Sequence, residues 1–399
     1  MVFTREALFL PFLLFFSSDY GSFVENSPSR PDPSGSHGTV WEVIALKAFL
    51  KRKKIDISWK SYGIKAMSAM AQGLFASLLI GTIVKTLGEQ AGKAVADING
   101  LKHICDWLVD IGAFAQSIAG PAMAVSIAVA LQAPSLVVFS AVAVGYTANS
   151  QGGAGGPLAV LLITIVAVEF GKAVSMETKI DILVTPFVTV VLGGLLSIWT
   201  APSIGKAANY VGKVTMWATE QQPFLMGILV SVIIGIALTL PISSAAICHS
   251  FGLIGLAGGA AVAGCCAQMV GFAVLSFKEN RFGGLVSQGI GTSMLQMGNI
   301  AKKPVIWLPP IIASAITGPI ATCLFKLRMD GPAISSGMGT CGFVGQIGVI
   351  TGWNGSAGWI DWVGLLLISF VLPAILCFVL GRIFRAAGII KDGDLKLED

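Results

Sequence analysis

Apolar residues in this chain come in long, nearly unbroken runs. They show neither the alternation of a half-buried strand nor the one-sided stripe of a surface helix. Nine runs stand out, at residues 64–84, 111–131, 134–146, 157–170, 182–199, 224–242, 253–275, 305–325 and 362–384. A helix needs about 20 consecutive apolar residues to cross the hydrocarbon core of a bilayer. Several runs reach that length and some fall short of it. The expected fold is all-α, a polytopic transmembrane helical bundle of about nine or ten spans.

Between the runs lie glycine-rich stretches at 149–156, 283–298 and 331–358. They are too apolar for ordinary loops and too interrupted for simple helices. Irregular backbone at membrane depth survives where protein buries it or where it lines a wet cavity. These stretches are therefore read as re-entrant hairpin segments of the kind transporters use. Flexible surface loops are the other reading.

The two ends differ from this pattern. Residues 1–40 hold one short apolar run, 7–16, and then a Ser, Pro and Gly-rich stretch at 26–38. The run is too short to span. The segment is read as disordered or as a mis-assigned leader, with a signal-peptide core as a further reading. Residues 41–62 follow, where Trp41, Val43, Ile44, Leu46, Phe49 and Leu50 recur at helical spacing ahead of Lys51, Arg52, Lys53 and Lys54. That combination predicts a basic amphipathic helix at the membrane interface. The transmembrane domain is expected over 63–386, with a tail at 387–399. The basic run before the first span, and Arg382, Arg385 and Lys391 after the last, place both ends on the cytoplasmic side.

Composition agrees with a lipid solvent. Charged residues make up 12% of the 399 residues and mean hydropathy is +0.80; a soluble domain usually carries about 25% charged residues. The net charge of +5 is spread over loops and is not gathered on a polar domain. A nucleic-acid partner is therefore not expected, and the positives are read as facing anionic lipid. The seven cysteines show no zinc or redox spacing, so no metal site is expected. Cys248, Cys265, Cys266, Cys323 and Cys377 sit in apolar surroundings and are read as small core residues. No Walker A pattern, dinucleotide fingerprint or HExxH is present, so no cofactor and no catalytic residue is expected, and an ATP-driven pump is disfavoured.

Polar residues inside apolar runs carry the functional reading, because a charge at membrane depth costs several kcal/mol. Glu169 ends one run, with Lys172 just behind it. It either lines a substrate site or pairs with that lysine. His249 follows Pro241, Ser243 and Ser244, a helix break whose freed N–H groups could face a sugar or phosphate; a satisfied core histidine is the plainer reading. Gln288, Gln296 and Asn299 lie together, with Lys302 and Lys303 behind them, and Gln346 lies further on. Neutral amides and hydroxyls with a carboxylate suit a sugar, and they also serve as packing glue between helices.

Several stretches resemble one family. They include Ala71-Gln72-Gly73-Leu74-Phe75-Ala76-Ser77, Leu240-Pro241-Ile242-Ser243-Ser244, Gly264-Cys265-Cys266-Ala267-Gln268-Met269, Gln288-Gly289-Ile290-Gly291-Thr292-Ser293, Lys303-Pro304-Val305-Ile306-Trp307 and Gly337-Met338-Gly339-Thr340. Together they resemble the phosphotransferase-system membrane-subunit (EIIC-like) family that includes the perfringolysin regulator-like proteins. The resemblance implies a multi-pass sugar permease of the inner (plasma) membrane, forming a homodimer. It implies that a separate cytosolic phosphocarrier subunit phosphorylates the bound sugar, since no segment here reads as a soluble phosphocarrier domain. Substrate binding is then expected from Glu169, His249, Ser243, Ser244, Gln288, Gln296, Asn299 and Gln346, with Lys302 and Lys303 drawing the phosphodonor. A membrane-embedded ligand sensor or regulator, and a secondary transporter needing no phosphodonor, are the alternatives.

Overall fold

The computed structural model describes residues 46–94, 99–353 and 357–397. The expectations for residues 1–40 and for the start of the interfacial helix fall outside these.

A short helix α1 (46–52) ends at Lys54, whose φ of 54° turns the chain. The interfacial helix therefore does not run on to residue 62. The long helix α2 begins at once, spanning Lys60–Gly92. The other elements are α3 (Asn99–Ser117), α4 (Ala119–Ala130), α5 (Ser135–Gly152), α6 (Gly156–Val174), α7 (Asp181–Thr219), α8 (Pro223–Thr239), α9 (Ser244–Ser250), α10 (Gly255–Leu275), α11 (Phe277–Val286), α12 (Met297–Lys302), α13 (Pro304–Leu324), α14 (Val344–Gly352) and α15 (Trp359–Ala386).

Six helical segments among the described residues are long and apolar enough to cross a membrane, or seven when α3 and α4, bent by 50°, count as one span. The fold is an all-α polytopic bundle. The apolar runs at 134–146 and 157–170 become α5 and α6, which follow each other in continuous helical backbone over Ser135–Val174 and so enter that number as one. In space α5 and α6 fold back on each other at Gly153, φ 51°, so that Gly171 faces Val137. The run at 224–242 is cut to the 17-residue α8 by Pro241.

Packing follows from small residues. On α7, Thr185, Thr189, Gly193, Ser197, Ala201 and Gly205 repeat every four residues and are buried against α5 and α6. The opposite face carries exposed Ile182, Phe187, Ile198 and Trp199. A small-residue stripe lets backbones approach closely where no hydrophobic drive separates helix from lipid. α10 is the centre of the second half and is buried along nearly its whole length. Gly264 lies on the Ser231 backbone of α8, and Gly271 on Cys377 of α15. Cys248, Cys265, Cys266 and Cys377 are buried as expected of core residues; Cys323 is exposed, because it sits at the end of α13.

The glycine-rich stretch at 283–298 is mostly buried and irregular after α11, and that at 331–358 is irregular until α14, with most of 335–349 buried. Thr292 is extended between a π turn and a 3₁₀ turn. Gly339, Gly342 and Phe343 all have φ near +55°. The two stretches meet where Thr340 Oγ1 donates to the Gly289 carbonyl at 2.5 Å. Side chains satisfy further backbone there, with Ser244 Oγ donating to Gly337 O at 2.7 Å and Ser336 Oγ to Leu253 O at 2.6 Å. Protein thus supplies the partners that lipid cannot.

Candidate functional site

Three of the amides read from the sequence form one connected chain. Gln288 Nε2 donates to Ser276 Oγ (2.8 Å) and Gly284 O (3.0 Å). Its Oε1 accepts from Gln296 Nε2 at 2.9 Å, and Gln296 Oε1 accepts from Asn299 Nδ2 at 2.8 Å. The extended residue Thr292 lets the backbone double back, which brings Gln288 and Gln296 together across eight positions.

The chain tail completes this cluster. Leu395 is fully buried. Its carbonyl accepts from Gln296 Nε2 (3.0 Å) and from Asn280 Nδ2 (2.8 Å). Lys396 O accepts from Asn299 Nδ2 (2.8 Å), and Leu397 N donates to Asn280 Oδ1 (2.9 Å). Two ion pairs hold the tail ahead of this point, Lys278–Asp392 and Lys303–Asp394, both at 2.6 Å. The hydrogen bond and charge of Lys278 hold the Asp392 carboxyl below its ordinary value. Burial pushes Asp394 up, but hydrogen bonds from Lys303 and the Lys391 amide, with both lysine charges, outweigh it and leave it lowered. The tail is a docked element, where the sequence reads as a plain charged terminus.

Beside the amide chain lies a cavity of about 520 Å³, within the range usual for small-molecule sites. Ser68, Gln72 and Phe75 of α2 form one wall. Glu279, Asn280 and Ser287 form the next, and Asn299, Lys396 and Leu397 close it. Hydroxyls, amides, one carboxylate and an aromatic ring therefore converge on one space. Glu279 is held by Arg385, whose Nη2 donates to both carboxylate oxygens at 3.0 and 3.1 Å and to Leu275 O at 2.9 Å. A second cavity of about 430 Å³ on the other side of the tail is lined by Lys302, Lys303, Asp394 and Lys396.

The remaining sequence candidates stand elsewhere. Glu169 pairs with buried Lys172 at 3.0 Å, and Lys172 Nζ also donates to Lys54 O (2.7 Å) and Leu131 O (2.9 Å). This geometry matches the pairing reading of that carboxylate. His249 is exposed at the end of α9, and Ser243 caps that helix by accepting from Ala246 N at 3.1 Å. Gln346 Nε2 meets Cys266 Sγ at 3.3 Å, away from the cavity. Sequence reasoning missed Glu279, Asn280, Ser68 and Phe75. An adjacent acid and amide closing the apolar run at 253–275 was the signal available for the first two.

Deeper in the bundle Thr239, Gln268, Ser293, Trp307 and Ser314 make a second neutral network. Thr239 Oγ1 and Ser293 Oγ are 2.7 Å apart, and Trp307 Nε1 donates to Gln268 Oε1 at 2.8 Å. Its atoms are mutually satisfied, which suits a structural role. Among the described residues no group of three or more His, Cys, Asp or Glu side chains could hold a metal ion.

In comparison with known proteins, the family model described as Phosphotransferase system, EIIC, matches residues 64–397. No curated protein and no solved structure matches the chain.

Proposed function

The chain belongs to the phosphotransferase-system EIIC family, and we propose that its 520 Å³ cavity is where it holds a sugar for phosphorylation by a separate cytosolic subunit. Membership makes it a multi-pass permease subunit of a sugar phosphotransferase system with cytosolic partners. The inner (plasma) membrane as its location, and the site itself, are our reading.

The observation that carries the site is its lining. A sugar is neutral and dense in hydroxyls. Each hydroxyl both donates and accepts, so it needs amides, hydroxyls and a carboxylate at fixed places. Ser68, Asn280, Ser287 and Asn299 supply neutral partners, Glu279 a charged acceptor, and Phe75 an apolar ring for a sugar face. Gln288 and Gln296 fix Asn299 from behind. A phosphoryl group would add about −1.5 to −2 charges. Beside Glu279 that charge is repelled, while Lys302 and Lys303, which line only the neighbouring cavity, attract it. The product is thus less well held beside Glu279 than the substrate is.

The test compares two carboxylates. Glu279→Gln should weaken binding of a transported sugar by roughly ten- to a hundred-fold, the worth of one charge-assisted hydrogen bond, about 1.5–3 kcal/mol. Glu169→Gln should leave binding within about twofold. Radiolabelled sugar binding to purified protein, with unchanged elution as the fold control, reads both. The reverse ranking would move the site to Glu169.

A further inference from the structure

A third cavity, of about 590 Å³, lies between α10, α11 and α15; it shares no lining residue with the sugar cavity, although Arg385 on its edge is the residue that holds Glu279. Its floor is apolar, formed by Val274, Leu285, Cys377, Phe378 and Gly381. Its rim carries four cations, Lys278, Arg281, Arg382 and Arg385. Two of these are already committed, Lys278 to Asp392 and Arg385 to Glu279. Arg281 and Arg382 have no acidic partner among the described residues. The Arg382 guanidinium lies 5.2 Å from the Phe378 ring centroid, so its stem and plane follow the groove.

The surroundings are equally polarised. Ile375, Phe378, Val379 and Ile383 of α15 and Val286 of α11 are about half exposed, and Phe282 of α11 more so. In a membrane protein such a surface faces acyl chains. The groove therefore presents an apolar bed that runs up to two guanidinium groups with unused donors. Guanidinium forks match phosphate oxygens in pairs, and basic pockets between spans on the cytoplasmic side seat anionic headgroups.

We propose that this groove is a binding site for one anionic phospholipid, its phosphate held by Arg281 and Arg382 and an acyl chain laid along Leu285, Cys377, Phe378 and Gly381. Charge complementarity selects the occupant. The four cations less Glu279 and Asp392 leave an excess of two positive charges at one end of an otherwise apolar bed. A zwitterionic lipid brings a cation of its own to that end, and a free phosphate leaves the bed uncovered.

The full chain, reconstituted in nanodiscs of equal phosphatidylglycerol and phosphatidylcholine and then released into mild detergent, tests this by native mass spectrometry of retained lipid. Phosphatidylglycerol should be retained about tenfold or more over phosphatidylcholine, in line with about 1 kcal/mol for each basic residue near an anionic lipid. The Arg281→Gln/Arg382→Gln double variant should lose that preference to within about twofold. Leu285→Trp, which fills the bed and changes no charge, should lose it as well, while Arg382→Lys should keep most of it. If the double variant fails to fold, the contrast between Leu285→Trp and Arg382→Lys decides. Equal retention of the two lipids overturns the proposal. So does a preference that survives Leu285→Trp, which would make it a surface-charge effect, and so does displacement of phosphatidylglycerol by millimolar inorganic phosphate.

Discussion

Lys172→Met is the perturbation whose cost the structure defines best. The side chain is 1% exposed, and all three ammonium protons have acceptors: Lys54 O, Leu131 O and the Glu169 carboxylate. Through it α6 is tied to the turn after α1 and to the end of α4. Methionine preserves the volume and removes every donor. It leaves a carboxylate that is 8% exposed without its counter-charge, and removing one partner of a buried pair costs about 3–5 kcal/mol. Two backbone carbonyls are stranded as well. The double variant Lys172→Met/Glu169→Gln removes the orphaned charge and leaves the carbonyls, so its loss should fall to about 1–3 kcal/mol. The second substitution should therefore rescue the first, a coupling that appears only between residues in contact. Reversible unfolding of the purified protein in mixed micelles, titrated with a denaturing detergent, measures both variants against the parent. A single variant within about 1 kcal/mol of the parent, or a double variant no more stable than the single, would refute the reasoning.

The tail should detach when Asp394 is replaced by asparagine, seen as faster amide exchange over 391–397 with the rest of the chain unchanged. It should also detach in acid. Asp392 and Asp394 are both held below their ordinary 3.8 when folded, so the stability they give is present above that value and is lost as pH falls through their folded values. Exchange at pH 3 and pH 6, corrected for intrinsic rates, checks this. Gly264→Ala, normally a gain of up to about 1 kcal/mol in a helix, should instead cost about 1–3 kcal/mol, because the new methyl meets the Ser231 backbone; thermal unfolding reads the sign. A maleimide should label Cys323 and leave Cys265 and Cys266 untouched in the folded protein.

Much of the bundle was legible because lipid is an unforgiving solvent. Runs of apolar residues can only be spans or buried helices, and the run at 253–275 became α10 within two residues of its start. The break between α5 and α6 was legible as well, since the glycine-rich stretch at 149–156 parts the runs at 134–146 and 157–170, and the reversal there uses the positive φ of Gly153. The site was half legible. Gln288, Gln296 and Asn299 stood out as amides in an apolar stretch, and the fold joins them. Glu279 and Asn280 sat in the charged stretch Lys278-Glu279-Asn280-Arg281, between the apolar run at 253–275 and the glycine-rich stretch at 283–298, and were not singled out. The tail was illegible for a tertiary reason. Asp392, Asp394 and Lys396 look like a solvated end until Lys278, Lys303 and Asn280, roughly a hundred positions away, are known to face them. Glu169 shows the converse, since a carboxylate at membrane depth signals a partner before it signals a ligand.

The central claim is that this chain carries a sugar as one part of a phosphotransferase. Uptake of radiolabelled hexoses and hexosamines into inside-out and right-side-out vesicles tests it most directly, with and without phosphoenolpyruvate and the soluble phosphocarriers. At least one sugar should accumulate as its phosphate ester, only when the phosphodonor chain is complete, and Glu279→Gln should abolish this at low sugar concentration. Accumulation of free sugar without phosphodonor would contradict the account in favour of a secondary transporter. Saturable binding with no uptake under either condition would contradict it in favour of a membrane sensor.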